Sequence, residues 1–130
     1  MAGWWQRLFG GAREQDGVQW TTTEALATAL DQGDPVLILD VRGADEVRGP
    51  LGAIPGMLNL PLDELPRELG KLPRERPIVV VCRTDRRSAR AAAMLRDAGF
   101  KTVAVLAGGM ERWSAEGRPC RPEPSAGNGS

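Results

Sequence analysis

Histidine is absent from this chain of 130 residues. Imidazole-based general acid–base chemistry is therefore excluded, and with it any Ser-His or Cys-His nucleophile pair. Cysteine is scarce, with only Cys82 and Cys120 present. Two thiols do not make the disulfide framework of a small secreted scaffold. Without histidine, a zinc site would need more thiolates than the chain owns. Neither sign of charge is in excess, since 17 basic residues balance 17 acidic ones. That balance gives no support to nucleic-acid binding or to general attraction by anionic membranes. No apolar run approaches the roughly 20 residues of a membrane span. The opening stretch MAGWWQRLFGGAREQDG also lacks the apolar core and cleavage pattern of a signal peptide. The expectation is a soluble cytoplasmic protein in a reducing compartment, with no metal and no cofactor. If it does chemistry near neutral pH, a thiol is the natural nucleophile.

What is present suits one compact domain: the length allows a single core, and the hydrophobic content of 42% is in the globular range. Residues 1–17 read as an appendage, 18–119 as the domain and 120–130 as a disordered tail, RPEPSAGNGS being poor in core formers. In the appendage, Trp4, Trp5, Leu8 and Phe9 would share one face of two helical turns before Gly10-Gly11 breaks the pattern. Such an arm either touches a membrane interface or a partner, or docks back on the domain, or stays disordered.

Within the domain the pattern alternates. Thr21 and Glu24 fit a capping box, with Thr21 as N-cap and Glu24 three residues on, opening a helix through Leu26 and Leu30 that Gly33 ends. Residues 35–41 (PVLILDV) form a continuous apolar run, as a strand buried on both faces does. A short helix is expected over 63–69, with Asp63 as its N-cap. A second buried strand follows at 78–81, a helix over 88–98 stopped by Gly99, a strand at 102–106 and a last helix near 110–116. Strands alternating with helices imply parallel pairing through right-handed crossovers, hence a layered α/β domain.

One stretch, IVVVCRTDRRSARAAAML (residues 78–95), concentrates the chemistry. Its β-branched strand ends in Cys82, and a helix begins shortly after. Ligands of open α/β sheets bind outside the carboxyl ends of the strands. The unpaired amides and dipole of the helix's first turn favour an anion there, and Arg83, Arg86 and Arg87 add positive charge. Together these are expected to hold the sulfur as thiolate, with Asp85 alone opposing them. Spacing separates two chemistries. A cysteine-based phosphatase typically places its arginine after five intervening residues, where this chain has Ser88. Four intervening residues lead to Arg87, and the shorter loop suits a terminal sulfur better than a phosphate.

The loop CRTDRRS resembles the active-site loop of the rhodanese-like sulfurtransferases, and three further blocks agree. Asp40-Val41-Arg42 is similar to that family's DVR, residues 48–62 (RGPLGAIPGMLNLPL) to its G-H-I-P-G-A-x-N-x-P segment, and residues 105–120 (VLAGGMERWSAEGRPC) to its closing L-x-G-G-x-x-x-W-x-x-x-G-x-P. The resemblance implies a three-layer α/β fold with a central, mostly parallel β-sheet flanked by helices. It also implies a thiosulfate sulfurtransferase that works through a Cys82 persulfide, with a small-molecule donor (thiosulfate or a persulfide) and a thiol or protein acceptor. Cys82 would be catalytic. The loop of Arg83, Thr84, Asp85, Arg86, Arg87 and Ser88 would bind the donor and the persulfide, its backbone amides holding the anion. Asp40 and Arg42 are read as supporting residues that brace the loop, Trp113 as core, and Gly108 and Gly109 as a turn. Ala53 stands where the family commonly has histidine, a change expected to affect packing only. Asp85 stands where glycine is frequent; aspartate tolerates a positive φ if one is needed, and its charge weakens affinity for thiosulfate. The alternative is a sulfur-delivery or protein-binding module with little small-molecule turnover. Cys120 is read as an idle thiol in the tail, with a resolving role toward Cys82 as the sharper option.

Overall fold

A computed structural model describes residue 8, residues 14–15 and residues 18–121. Six strands form one sheet: β1 (Glu14–Gln15), β2 (Val18–Thr21), β3 (Leu37–Asp40), β4 (Leu58–Asn59), β5 (Ile78–Val81) and β6 (Val103–Leu106). Their spatial order is β1-β2-β6-β5-β3-β4, and among the described strands only the β1–β2 pair is antiparallel. The α-helices within residues 18–121 are α1 (Thr23–Asp31), α2 (Ala44–Val47), α3 (Leu65–Glu68), α4 (Arg86–Asp97) and α5 (Gly109–Ala115).

The three central strands β3, β5 and β6 are buried at every residue, because helices cover both faces of the sheet. Alternation sorts their side chains into two cores. Leu37, Leu39, Ile78, Val80, Val103 and Val105 pack against Ala91, Ala92 and Leu95 of α4. Ile38, Val79, Val81, Ala104 and Leu106 pack against Leu26 and Ala29 of α1 and Met110 and Trp113 of α5. Burying each of the larger aliphatic side chains contributes about 1.5–3 kcal/mol. In α4 the buried positions are Ser88, Ala91, Ala92 and Leu95. That is a stripe at helical spacing, whose small residues let the helix lie close to the strands that end at Cys82.

The expected three-layer architecture is present, with local corrections. The N-cap of α1 is Thr22, whose Oγ1 accepts the Ala25 N–H at 3.0 Å. Thr21 belongs instead to β2, paired with Leu106, and its carbonyl accepts the Ala107 N–H at 2.9 Å. The sheet claims Thr21, so the cap shifts by one residue. Asp63 is no cap either: it lies inside a 3-10 turn, Leu62–Glu64, and α3 is a separate single turn after it. Pro66 near the start of α3 has no N–H to donate to a preceding carbonyl, which breaks the continuous helix expected over 63–69. The helix α4 starts at Arg86 rather than at 88, so the loop after Cys82 is shorter than expected.

Both ends of the domain reach further than expected. Leu8 is buried among Leu26, Ala29 and Trp113, and β1 adds an edge strand, so parts of the appendage dock on the domain. Trp4, Trp5 and Phe9 lie outside the described residues. Cys120 is buried in the same core, and Arg121 exchanges two backbone hydrogen bonds of 2.6 Å with Ala53. These two residues close the domain instead of opening the tail, whose remainder, 122–130, lies outside the described residues. No helix among the described residues is long and apolar enough to cross a membrane.

Candidate active site

The strand β5 delivers Cys82 to the carboxyl edge of the sheet, where it is 1% exposed. The chain then makes a tight loop and enters α4 with Asp85 as the N-cap residue. An aspartate N-cap ordinarily accepts an amide of the first turn. Here its carboxylate turns away and accepts the Gly108 N–H at 3.3 Å, and no side-chain cap is made. The sulfur takes that place. Ser88, the third residue of α4, donates its backbone N–H to Cys82 Sγ at 3.3 Å, and its hydroxyl oxygen lies 3.3 Å from the same atom. The positive end of a helix of 12 residues is thus directed at Sγ. Asp85 has φ −155°, so a left-handed backbone is not required at that position.

Behind the loop, α5 fixes the carbonyls. Cys82 O accepts from Met110 N–H at 2.9 Å and Arg83 O from Glu111 N–H at 3.0 Å. This approach depends on Gly109, with φ +56°, where a Cβ would fall 2.5 Å from Cys82 O, 2.7 Å from Arg83 O and closer still to Thr84 O. Gly109 is therefore more than a turn residue. The C=O and N–H of a trans peptide point in opposite directions. With the three carbonyls turned toward α5, the N–H groups of Arg83, Thr84 and Asp85 face the other side of the loop. None of them has an acceptor among the described residues. Backbone donors left without an acceptor in this way suit an anion.

The guanidinium groups are placed differently from the expectation. Arg86 is exposed on the first turn of α4. Arg83 Nε donates to Glu111 Oε2 at 2.8 Å. Arg87 makes a two-pronged pair with Glu46, Nη1 to Oε2 at 2.6 Å and Nη2 to Oε1 at 2.8 Å. This pair holds the Glu46 carboxyl at a pKa of about 2, helped by the Gly43 N–H and opposed by burial, and raises that of Arg87. Two of the three arginines thus meet carboxylates, Glu111 and Glu46, neither of which was anticipated, whereas the anticipated Asp85 bonds to a backbone amide. Glu46 and Glu111 come from distant parts of the chain. The only signal for Glu111 was its place directly after the glycine turn and Met110.

Asp40 and Arg42 form a buried pair, each 1% exposed, with Arg42 Nη2 2.7 Å from Asp40 Oδ2. Arg42 also donates to Gly52 O at 2.8 Å and to Glu46 O at 3.4 Å, and the Asn59 side chain donates to Asp40 O and Arg42 O at 2.9 Å. The pair therefore braces the segment that presents Glu46 to Arg87, rather than the cysteine loop itself. Two cavities flank the loop. One, of about 520 Å³, is lined by Arg42, Glu46, Arg83 and Glu111; the other, of about 480 Å³, by Gly43, Glu46, Arg87 and Arg90 among others. Glu46 borders both.

Trp113 is core, its indole N–H donating to Pro119 O at 2.8 Å. Cys120 lies in the core on the opposite face of the sheet from Cys82, and burial pushes its thiol pKa up. That placement removes the resolving role, which would need the two sulfurs on one side. No group of three or more Cys, Asp or Glu among the described residues is arranged to hold a metal ion.

The chain as a whole is similar to known proteins. The family model of the Rhodanese-like domain matches residues 22–116. A protein of Allochromatium vinosum named Sulfurtransferase is 34% identical over 97 residues, covering 75% of this chain and 89% of that one. The Putative sulfurtransferase YtwF of Bacillus subtilis is 32% identical over 98 residues, covering 75% of this chain and 92% of its own. Among solved structures, the rhodanese-like domain of an Anabaena protein superposes with a TM-score of 0.72 at 29% identity, covering 85% of this chain and 84% of that one.

Proposed function

The chain belongs to the rhodanese-like domain family, and on that premise we propose that it moves sulfane sulfur through a persulfide on Cys82. The observation that carries this reading is the sulfur's position. Sγ sits at the first turn of α4, hydrogen-bonded by the Ser88 N–H, beside loop amides that have no acceptor among the described residues. A terminal persulfide sulfur, one bond beyond Sγ, would be an anion in reach of those donors.

In the first half-reaction the Cys82 thiolate attacks the outer sulfur of the donor. With thiosulfate, a bond forms between Sγ and the outer sulfur while the bond to the sulfonate sulfur breaks. Its electron pair leaves with sulfite, and Cys82 becomes a persulfide anion. In the second, a thiophilic acceptor takes the terminal sulfur and restores the thiolate; with cyanide the product is thiocyanate. The first turn of α4 and its Ser88 N–H face Sγ, and no histidine takes part. Arg83 and Arg87 are the groups that would meet the oxygens of an anionic donor once released from Glu111 and Glu46. Asp40 and Arg42 act as positioning residues through Glu46. A persulfide carrier belongs in a reducing compartment, and the cytoplasm is the setting proposed.

Incubation with thiosulfate and cyanide tests this directly. Wild type is expected to release thiocyanate and Cys82→Ser is not; equal release from both sinks the reading. A second reading, a delivery module that hands sulfur to a protein acceptor, is favoured by the carboxylates that occupy Arg83 and Arg87. It predicts a persulfide on Cys82 by mass spectrometry with little thiocyanate release.

A further inference from the structure

Glu46 is held at each of its polar ends. Its Oε2 accepts the Gly43 N–H at 3.1 Å as well as Arg87 Nη1, its Oε1 accepts Arg87 Nη2, and its carbonyl accepts Arg42 Nη1 at 3.4 Å. Arg42 is itself locked by the buried Asp40. The carboxylate is thus preorganised by the scaffold, and it stands between the two cavities beside the cysteine loop. A donor that is to use the Arg87 fork must displace a fixed two-pronged carboxylate and come close to its charge. Like charges brought together suppress the wrong ligand, just as attractive contacts select the right one. Glu111 opposes a donor at Arg83 in the same sense but more weakly, since it makes a single contact to a guanidinium that is 63% exposed.

Resting on the persulfide reading above, we propose that Glu46 is a specificity-determining residue that selects the donor by charge. It favours singly charged thiosulfonates and persulfides over doubly charged thiosulfate. In every case the Cys82 thiolate bonds to the outer sulfur and the bond from that sulfur to its neighbouring sulfur breaks. The electron pair leaves with sulfinate from a thiosulfonate, with thiolate from a persulfide and with sulfite from thiosulfate. One negative charge stays on the Cys82 persulfide, so charge balances in each case.

Two donors that differ by one charge separate this from a structural role: thiosulfate and methanethiosulfonate, each assayed with cyanide on the full chain. Replacing Glu46 by glutamine keeps the size and removes the charge. The expected result is a rise of about tenfold in kcat/KM for thiosulfate, carried by KM, and less than about threefold for methanethiosulfonate. Differences in the donors' intrinsic reactivity cancel when the variant is compared with wild type. An unchanged ratio between donors, with Cys82 still taking up sulfur from both, overturns the assignment and leaves the persulfide reading standing. If neither donor adds sulfur to Cys82 in wild type, it is the persulfide reading that fails. Should Glu46→Gln not fold, Glu46→Asp, which draws the carboxylate back by one methylene, is measured instead. The ratio is expected to move the same way, and an unmoved ratio again overturns the assignment.

Discussion

Replacing Gly109 by alanine tests how the cysteine loop is held in shape. The added Cβ would stand 2.5 Å from Cys82 O and 2.7 Å from Arg83 O, and nearer still to Thr84 O. All three are backbone atoms, so no flexible side chain can yield. Three costs combine. A left-handed conformation strains an L-residue by about 1 kcal/mol. Pushing the loop away weakens the bonds from Met110 N–H to Cys82 O and from Glu111 N–H to Arg83 O, at about 1 kcal/mol each. Overpacking adds at least about 1 kcal/mol. A destabilisation of about 4 kcal/mol results, and with a urea m-value of about 1.5 kcal/mol per molar the midpoint falls by about 2.5 M. Gly117 supplies the control: its φ is +72°, yet a Cβ there meets nothing within 4 Å. Gly117→Ala should lose only the conformational strain, about 1 kcal/mol. Urea titrations of the two variants, paired with sulfur uptake by Cys82, make the comparison. If Gly109→Ala matches Gly117→Ala in stability and still takes up sulfur, the close approach of α5 to the loop is wrong.

Three further outcomes are expected. Arg42→Met should destabilise the protein by about 3–5 kcal/mol in urea titration, because it strands the Asp40 carboxylate in the interior; a loss under about 1 kcal/mol would argue against a buried pair. The folded-state pKa of Glu46 is lowered from the ordinary 4.5 to about 2, so its stabilisation is present above about pH 4.5 and is lost as pH falls through about 2. The pair is partly exposed, so the stability difference between wild type and Glu46→Gln should be under about 1 kcal/mol at pH 6 and close to zero at pH 2; a difference that grows toward pH 2 contradicts the sign. Cys120, buried and with a raised thiol pKa, should resist iodoacetamide at pH 8 until urea unfolds the chain, and rapid labelling of the native protein would refute its packing.

The central strands and the main helix were legible because each carries a dense local signal. The run of aliphatic residues in β3 and β5 has no competing period, and α4 has good helix formers ended by Gly99. The strands β2 and β4 were not anticipated. VQWT and LN are too short and too mixed for alternation to show, and they become strands only because β6 and β3 offer them partners. Thr21 illustrates the same competition, a good cap by local rule that the sheet takes first. At the site, the sequence placed Cys82 at the end of a buried strand and before a helix, which is where the structure has it, while Asp40 and Arg42 were read only as bracing residues and not as partners of each other. Two properties could not be read at all. Glu46 lies 41 residues from Arg87 and Glu111 lies 28 from Arg83, so their pairing is decided by tertiary structure alone. Asp85, the residue out of place in the loop, acts across the turn on the Gly108 N–H and so leaves the helix amide at Ser88 to the sulfur.

Sulfur transfer by this chain requires sulfur to become attached to Cys82, and the mass of the cysteine-containing peptide reports on that directly. After incubation with thiosulfate or methanethiosulfonate under non-reducing conditions, the Cys82 peptide should gain the mass of one sulfur atom and lose it again on addition of cyanide. A Cys82 peptide of unchanged mass with both donors, or an equal gain at Cys120 alone, would contradict it.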